Sequence, residues 1–153
     1  MIGAISSVID LISSPAKAIV LFSDLLKKNK GDVRALVEEM KENLRLCNRV
    51  RQDRIDPSMI IPRFSTKTYD RLNEEGFDFN KLKRGKIRVN GIENTSMASW
   101  SQRESQDLIV NIYDKIKDIR SLYELSATEN RRFGPRIINI SNRIILLFCH
   151  IKS

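Results

Sequence analysis

Histidine is nearly absent from this chain of 153 residues, cysteine is scarce, and glycine and proline are few. Each shortage removes a class of chemistry. The one histidine, His150, has no second His or Cys cluster to help it hold a metal, and a metal site takes several ligands. Its expected place is the end of a helix, against the last carbonyls. The two cysteines, Cys47 and Cys149, lack CxxC spacing and lie in apolar stretches, so buried free thiols in a reducing compartment are expected. A Cys149–His150 nucleophilic pair fails on geometry, because adjacent helical positions face in different directions. The six glycines never show GxGxxG or GxxxxGK spacing, and no GxSxG turn occurs, so the common phosphate loops and the nucleophile elbow are excluded. Asp53 and Asp56 sit among Arg49, Arg51 and Arg54, a pattern of surface pairing rather than of an acid–base pair. No enzymatic activity, metal or cofactor is therefore expected.

Long apolar runs are missing too. Residues 1–9 are uncharged, but Asp10, Lys17 and Asp24 interrupt the segment after them, and no stretch reaches the ~18 residues of a membrane span. No positive segment precedes the apolar part, as a secretory leader requires. The expected setting is cytoplasmic, with a peripheral position at a membrane as the alternative.

The chain is rich in helical periodicity. Hydrophobic residues make up 41% of it and charged residues 30%, ordinary for one globular domain spanning residues 1–153. Ile2, Ile5, Ile9, Ile12, Ala16, Ile19 and Leu26 recur at three and four, with Ser14-Pro15 breaking the segment and opening its second piece. Gly31 closes that piece. Asp32 is placed to cap the next helix, which carries Val33, Leu36, Val37, Met40, Leu44, Cys47 and Val50 on one face and ends near Ile55. Ser101-Gln102-Arg103-Glu104 has the form of a capping box, and Leu108, Ile112, Ile116, Ile119 and Tyr123 form the next stripe, widened by Ile109, Tyr113 and Leu122. Gly134-Pro135 opens a last helix with Ile137, Ile140, Ile144, Phe148 and Ile151, which Ile138, Ile145 and Leu147 make apolar on more than one side. Such a helix belongs at the centre of a bundle.

Residues 56–99 keep no long period. Pro57, Pro62, Gly76, Gly85 and Gly91 punctuate them. Ser65 is placed to cap a short helix that buries Tyr69 and Leu72 and stops at Gly76. Phe64, Tyr69, Phe77 and Phe79 should pin the segment, with a mobile tip at residues 90–99. The expected fold is all-α: about four long helices in a bundle, with this irregular, partly helical excursion between the second and third long helices.

Function is less legible. Formal charge is +8, and residues 81–88 hold five cations, Lys81, Lys83, Arg84, Lys86 and Arg88, without an acid. Arg131, Arg132 and Arg136 form a second basic cluster. If the two converged, they would suit a polyanion. Trp100 stands beside the capping box as a core or hinge anchor. The leading expectation is a non-enzymatic protein–protein interaction module or adaptor, contacting its partner through the 56–99 excursion. Nucleic-acid binding by the 81–88 cations is the first alternative. Membrane association is the second, through Ile2, Ile5, Ile9 and Ile12 with Lys27, Lys28 and Lys30 near anionic head groups. Nothing indicates a small-molecule substrate.

Overall fold

The computed structural model describes residues 8–125 and 133–153; Ile2, Ile5, Arg131 and Arg132 lie outside the described residues. The fold is all-α. Helices run α1 (Val8–Ser13), α2 (Pro15–Lys28), α3 (Gly31–Arg51), α4 (Pro57–Ile60), α5 (Lys67–Glu74), α6 (Ser105–Leu125) and α7 (Phe133–Lys152), with 3-10 turns at Ile61–Arg63, Phe79–Leu82 and Ala98–Trp100. Among the described residues there is no strand, only an isolated antiparallel bridge between Lys86 and Glu104.

Helix α7 is the axis of the core. It touches α1, α2, α3, α4 and α6, and every residue from Ile144 to His150 is buried. The central position expected from its several apolar faces is the one it takes, although Ile138 remains exposed. The stripe expected on α6 is buried from Leu108 to Ile119, together with Ile109 and Tyr113.

Helices α1 and α2 bury a different ridge from the expected one. Val8, Leu11, Pro15, Ala18, Phe22 and Leu25 face inward; of the expected stripe Leu26 is buried, while Ile9 is 42% exposed and Ile12 and Ile19 are only partly covered. The inward set also alternates three and four. Both stripes are written in the segment, and the break at Ser14-Pro15 lets each helix choose its own rotation. Helix α2 ends on Asn29, whose Nδ2 donates to the Leu25 carbonyl at 2.8 Å. Gly31, at φ +60°, turns the chain directly into α3 rather than closing α2. Asp32 does not cap α3; it lies in the first turn and pairs with Arg71 at 3.3 Å. Helix α3 stops at Arg51, short of Ile55.

The expected capping box at Ser101 does not form either. Gln102 sits at φ +74°, a left-handed conformation that no helix continues through. Its N–H donates to the Ile87 carbonyl at 3.1 Å, and Ile87 N–H donates to the Arg103 carbonyl at 2.8 Å. Helix α6 therefore starts three residues later, and the reciprocal bond is from Glu104 N–H to the Asp107 carboxylate at 3.1 Å.

The 56–99 excursion belongs to the core. Ile60, Ile61, Phe64, Tyr69, Leu72, Phe79, Leu82, Ile87, Ile92 and Met97 are all buried. A pair of polar side chains one turn apart on α3 fastens it. Thr66 is the N-cap position of α5 but supplies no side-chain cap, and the expected cap, Ser65, reaches Lys67 N–H only at 3.4 Å. The free N–H groups of α5 are satisfied from another helix instead: Glu39 accepts from Thr68 N–H at 2.8 Å, Tyr69 N–H at 3.2 Å and Ser65 Oγ at 2.9 Å. A carboxylate there also meets the positive end of the helix. Asn43 pairs with both backbone groups of Ser65, donating to its carbonyl at 2.9 Å and accepting from its N–H at 3.0 Å. Gly76, at φ +73°, ends α5 as expected.

These contacts set the expected cost of two changes. Glu39→Leu strands two backbone donors and should lower unfolding free energy by ~2–4 kcal/mol, read as a lower urea midpoint with α6 and α7 still helical by hydrogen exchange. Deleting residues 1–12 exposes the seats of Val8 and Leu11, each contributing ~1.5–3 kcal/mol, and should lower the melting temperature. An unchanged melting temperature would show that α1 is dispensable to the bundle.

Candidate functional site

From the Glu39–Asn43 clasp the chain builds outward through an aromatic ladder. Tyr69 stacks on Tyr113 of α6 with centroids 4.2 Å apart and planes 6° apart, and on Phe79 at 5.2 Å. Phe77 meets Phe79 edge-on at 5.4 Å. Cations lie against two of its rings, with Lys117 Nζ 5.4 Å from the Tyr69 ring and Lys81 Nζ 5.6 Å from the terminal Phe77 ring. Lys117 also pairs with Asp70 at 2.6 Å, and Asp70 accepts from Thr66 Oγ1 at 2.8 Å. Burial works to raise the Asp70 carboxyl, but the bonds from Lys117 and Thr66 outweigh it and leave its pKa lowered. The Tyr113 hydroxyl is pushed well above the ordinary tyrosine value by burial and then by the Glu39 charge.

Upon this anchored base lies the basic segment. The five cations of 81–88 do not share one environment. Lys83 is half-buried and donates to the Ser153 carbonyl, and Arg84 pairs with Asp78 at 3.0 Å. Ile87 is fully buried, and Lys86 and Arg88 on either side of it are exposed. Arg103 lies alongside, its guanidinium 5.3 Å from the buried Trp100 ring. Trp100 is thus the core anchor expected of it. A shallow cleft of about 400 Å³ opens beside Arg88, between Asn90, Ile92 and Glu93 on one side and Ala98, Ser101 and Gln102 on the other. The stretch 90–99, expected as a mobile tip, is tied down by Ile92 and Met97, 2% and 3% exposed, and by turns such as Thr95 N–H to the Ile92 carbonyl at 3.0 Å.

Of the second basic cluster only Arg136 is among the described residues, and it is not joined to the first. Segment 81–88 covers the C-terminal end of α7, where Lys83 meets Ser153. Arg136 stands in the first turn of α7 and is exposed. The intervening helix separates them by about 25 Å at 1.5 Å per residue. Arg136 lies instead against α6, lining a small cavity with Lys115, Asp118, Ile119, Asn139 and Ile140. Sequence reasoning overlooks Lys115 and Arg143 there. The signal that could have found them is the repeat of Arg136, Asn139 and Arg143 down one face of α7. Of the apolar residues considered for membrane contact, Ile9 is exposed and Ile12 partly covered by the core.

The groups with reactive potential are buried or engaged in structural pairs. Cys47 and Cys149 are free and buried, and burial raises both thiols, Cys149 to about 12. Asp56 serves as the cap of α4, accepting from Ser58 N–H at 2.9 Å, and Asp53 pairs with Arg49 at 3.3 Å. His150 does not reach for terminal carbonyls. It is 1% exposed, with both ring nitrogens lacking a partner in hydrogen-bond geometry, beneath Lys83 and Gly85. Burial first, and then the Lys83 charge, lowers its pKa, while the Gly85 backbone works the other way. Among the described residues no group of three or more His, Cys, Asp or Glu is placed to hold a metal, and no helix is long and apolar enough to cross a membrane. No known protein family, curated protein or solved structure matches the chain.

The histidine yields a pH prediction. Because folding lowers the His150 pKa, the unfolded chain binds its proton more readily, so stability is full above the ordinary value of 6.5 and falls as pH drops below it. Asp56 and Asp70, lowered from an ordinary value of 3.8, act in the same direction but only in stronger acid. Between about pH 5 and 6.5 the loss belongs to His150. His150→Gln should flatten urea midpoints across that interval; a wild-type slope retained in the variant would assign it to other groups.

Proposed function

We propose that this protein is a non-enzymatic binding module, a bundle of about four long helices that presents a preorganised cationic face to an acidic patch on another protein. The observation that carries this reading is the alternation at residues 86–88: Ile87 is fully buried, while Lys86 and Arg88 stand in solvent on either side. Cations held by a rigid base lose little freedom on binding, and freedom lost is what commonly erodes affinity. Lys81 and Arg103 extend the face, each with its charged head over an aromatic ring. The adjoining cleft between residues 88 and 102 supplies a concave rim in which Asn90, Ser101 and Gln102 offer neutral polar contacts beside Arg88 and Glu93. Sequestration of both thiols and of the one histidine favours binding over catalysis as the role of this surface.

Nucleic acid is the alternative on the same cations. It lacks a stacking platform there, since Phe79 is buried and Phe77 is half-buried under Lys81. Membrane contact through α1 rests on Ile9 alone among the described residues, and is the weaker reading for that reason.

The test is affinity capture from extract with and without nuclease treatment by the wild-type chain and by the triple variant Lys81→Ser, Lys86→Ser, Arg88→Ser. At about 0.1 M salt, proteins retained by the wild type should fall at least tenfold with the variant, about 1.4 kcal/mol. The variant should melt as the wild type does, because its three side chains are exposed. Retention abolished by nuclease would transfer the site to nucleic acid. Equal retention by both chains would overturn the assignment.

A further inference from the structure

The groove between α6 and α7 gathers more positive than negative charge among the described residues. Lys115 on α6 and Arg136 on α7 line a cavity of about 80 Å³ with Asn139 and a single carboxylate, Asp118. Arg143 stands one turn beyond Asn139 and donates Nη1 to the Asn139 carbonyl at 3.1 Å, and its Nε is buried with no acceptor. None of Lys115, Asp118, Arg136 and Arg143 belongs to an ion pair within 4 Å among the described residues. Lys115 and Arg143 are each half-buried. Burial first, and then Arg143, lowers the pKa of Lys115; Arg136 adds to this and Asp118 opposes it. The Arg143 guanidinium is lowered by burial alone. Like charges are thus crowded into a partly dry groove at a cost to one another, an arrangement a bound anion would reverse.

We infer that this groove is a binding site for one phosphate monoester group, held by Lys115 and Arg136, with Arg143 one turn along α7 adding its charge from beside the lining. The lining carries two cations and one carboxylate, and Arg143 brings the local charge to +2, which matches a phosphate dianion. The cavity is small and open on one side, so it suits a tetrahedral oxyanion whose organic group extends into solvent. Guanidinium groups suit such an oxyanion because they donate in parallel pairs. Asn139 offers a neutral side-chain contact, and Asp118 disfavours any ligand that brings less charge than it repels. This site stands about 25 Å from the 81–88 face along α7 and is independent of the role assigned to that face.

The experiment measures thermal unfolding of the full chain at fixed ionic strength as chloride is replaced by millimolar inorganic phosphate. Binding to the folded state raises the melting temperature with ligand concentration. The expected result is a saturable rise for the wild type that is at least halved in Lys115→Gln and in Arg143→Gln. Phosphate also stabilises proteins by exclusion from their surface, so a rise of equal size in the variants would overturn the site. Should Arg143→Gln fail to fold, Arg136→Gln alters an exposed residue and reads the same loss. Glycerol 3-phosphate and dimethyl phosphate, run in parallel, separate a terminal monoester from a backbone-type diester. The monoester should bind; an equal or larger response to the diester would overturn the monoester assignment.

Discussion

One buried carboxylate holds the irregular half of this molecule to the regular half. Glu39, 7% exposed, accepts two backbone N–H bonds and one hydroxyl bond from the 65–69 turn. A charge in that position is tolerable only because several donors surround it, and the donors are tolerable only because the charge is there. Helix α5, eight residues long with no side-chain cap of its own, is too short to persist without such help. Asn43 fixes the turn that precedes it. Seating α5 in turn seats Tyr69 against Tyr113, and the aromatic ladder carries the order onward to Phe77 and Lys81.

This chain of dependence explains how an irregular segment comes to display a fixed electrostatic pattern. A stretch punctuated by proline and glycine has no hydrogen-bond ladder to hold its exposed residues in register. Here the register comes from below. Tyr69, Phe79, Leu82, Ile87, Ile92 and Met97 are pegs in the core, and the cations between them inherit the spacing of the pegs. The short bridge at Lys86 and Glu104 stitches the segment to the start of α6, and Ser105 Oγ reinforces it by donating to the Lys83 carbonyl at 2.7 Å.

Much of the regular fold is legible from apolar spacing, because α6 and α7 each offer one strong pattern. The stripe from Leu108 to Ile119 has no competitor, and the surplus of isoleucine on α7 marks a helix enclosed on several sides. Where a segment carries two patterns, spacing cannot choose. Residues 8–25 fit both the Ile9–Ile12 ridge and the Val8–Leu11 ridge, and packing against α7 decides. Caps mislead for a related reason. Ser65, Asp32 and Ser101 all have suitable side chains, but the free donors of α5 are met by Glu39 from 26 or more residues away, and Gln102 takes a left-handed turn that moves the start of α6. A capping pattern records what a side chain can do locally and says nothing of a distant competitor. The basic segment is plain in the sequence as charge; its division into paired residues, such as Arg84 with Asp78, and solvent-facing ones, such as Lys86, is a property of the fold.

The same segment that displays the cations also roofs the end of α7. Residues Ile144 to His150 leave no side of that helix free for solvent, so something must lie over His150, and the backbone of residues 83–87 does. Covering the core and presenting charge are therefore done by alternate side chains of one short stretch, and they are separable. A change at Ile87 removes a peg, disturbing fold and surface together. Altering Lys86 or Arg88 removes charge from solvent and leaves the peg in place. The face can vary in sequence without loss of the bundle, whereas the pegs cannot.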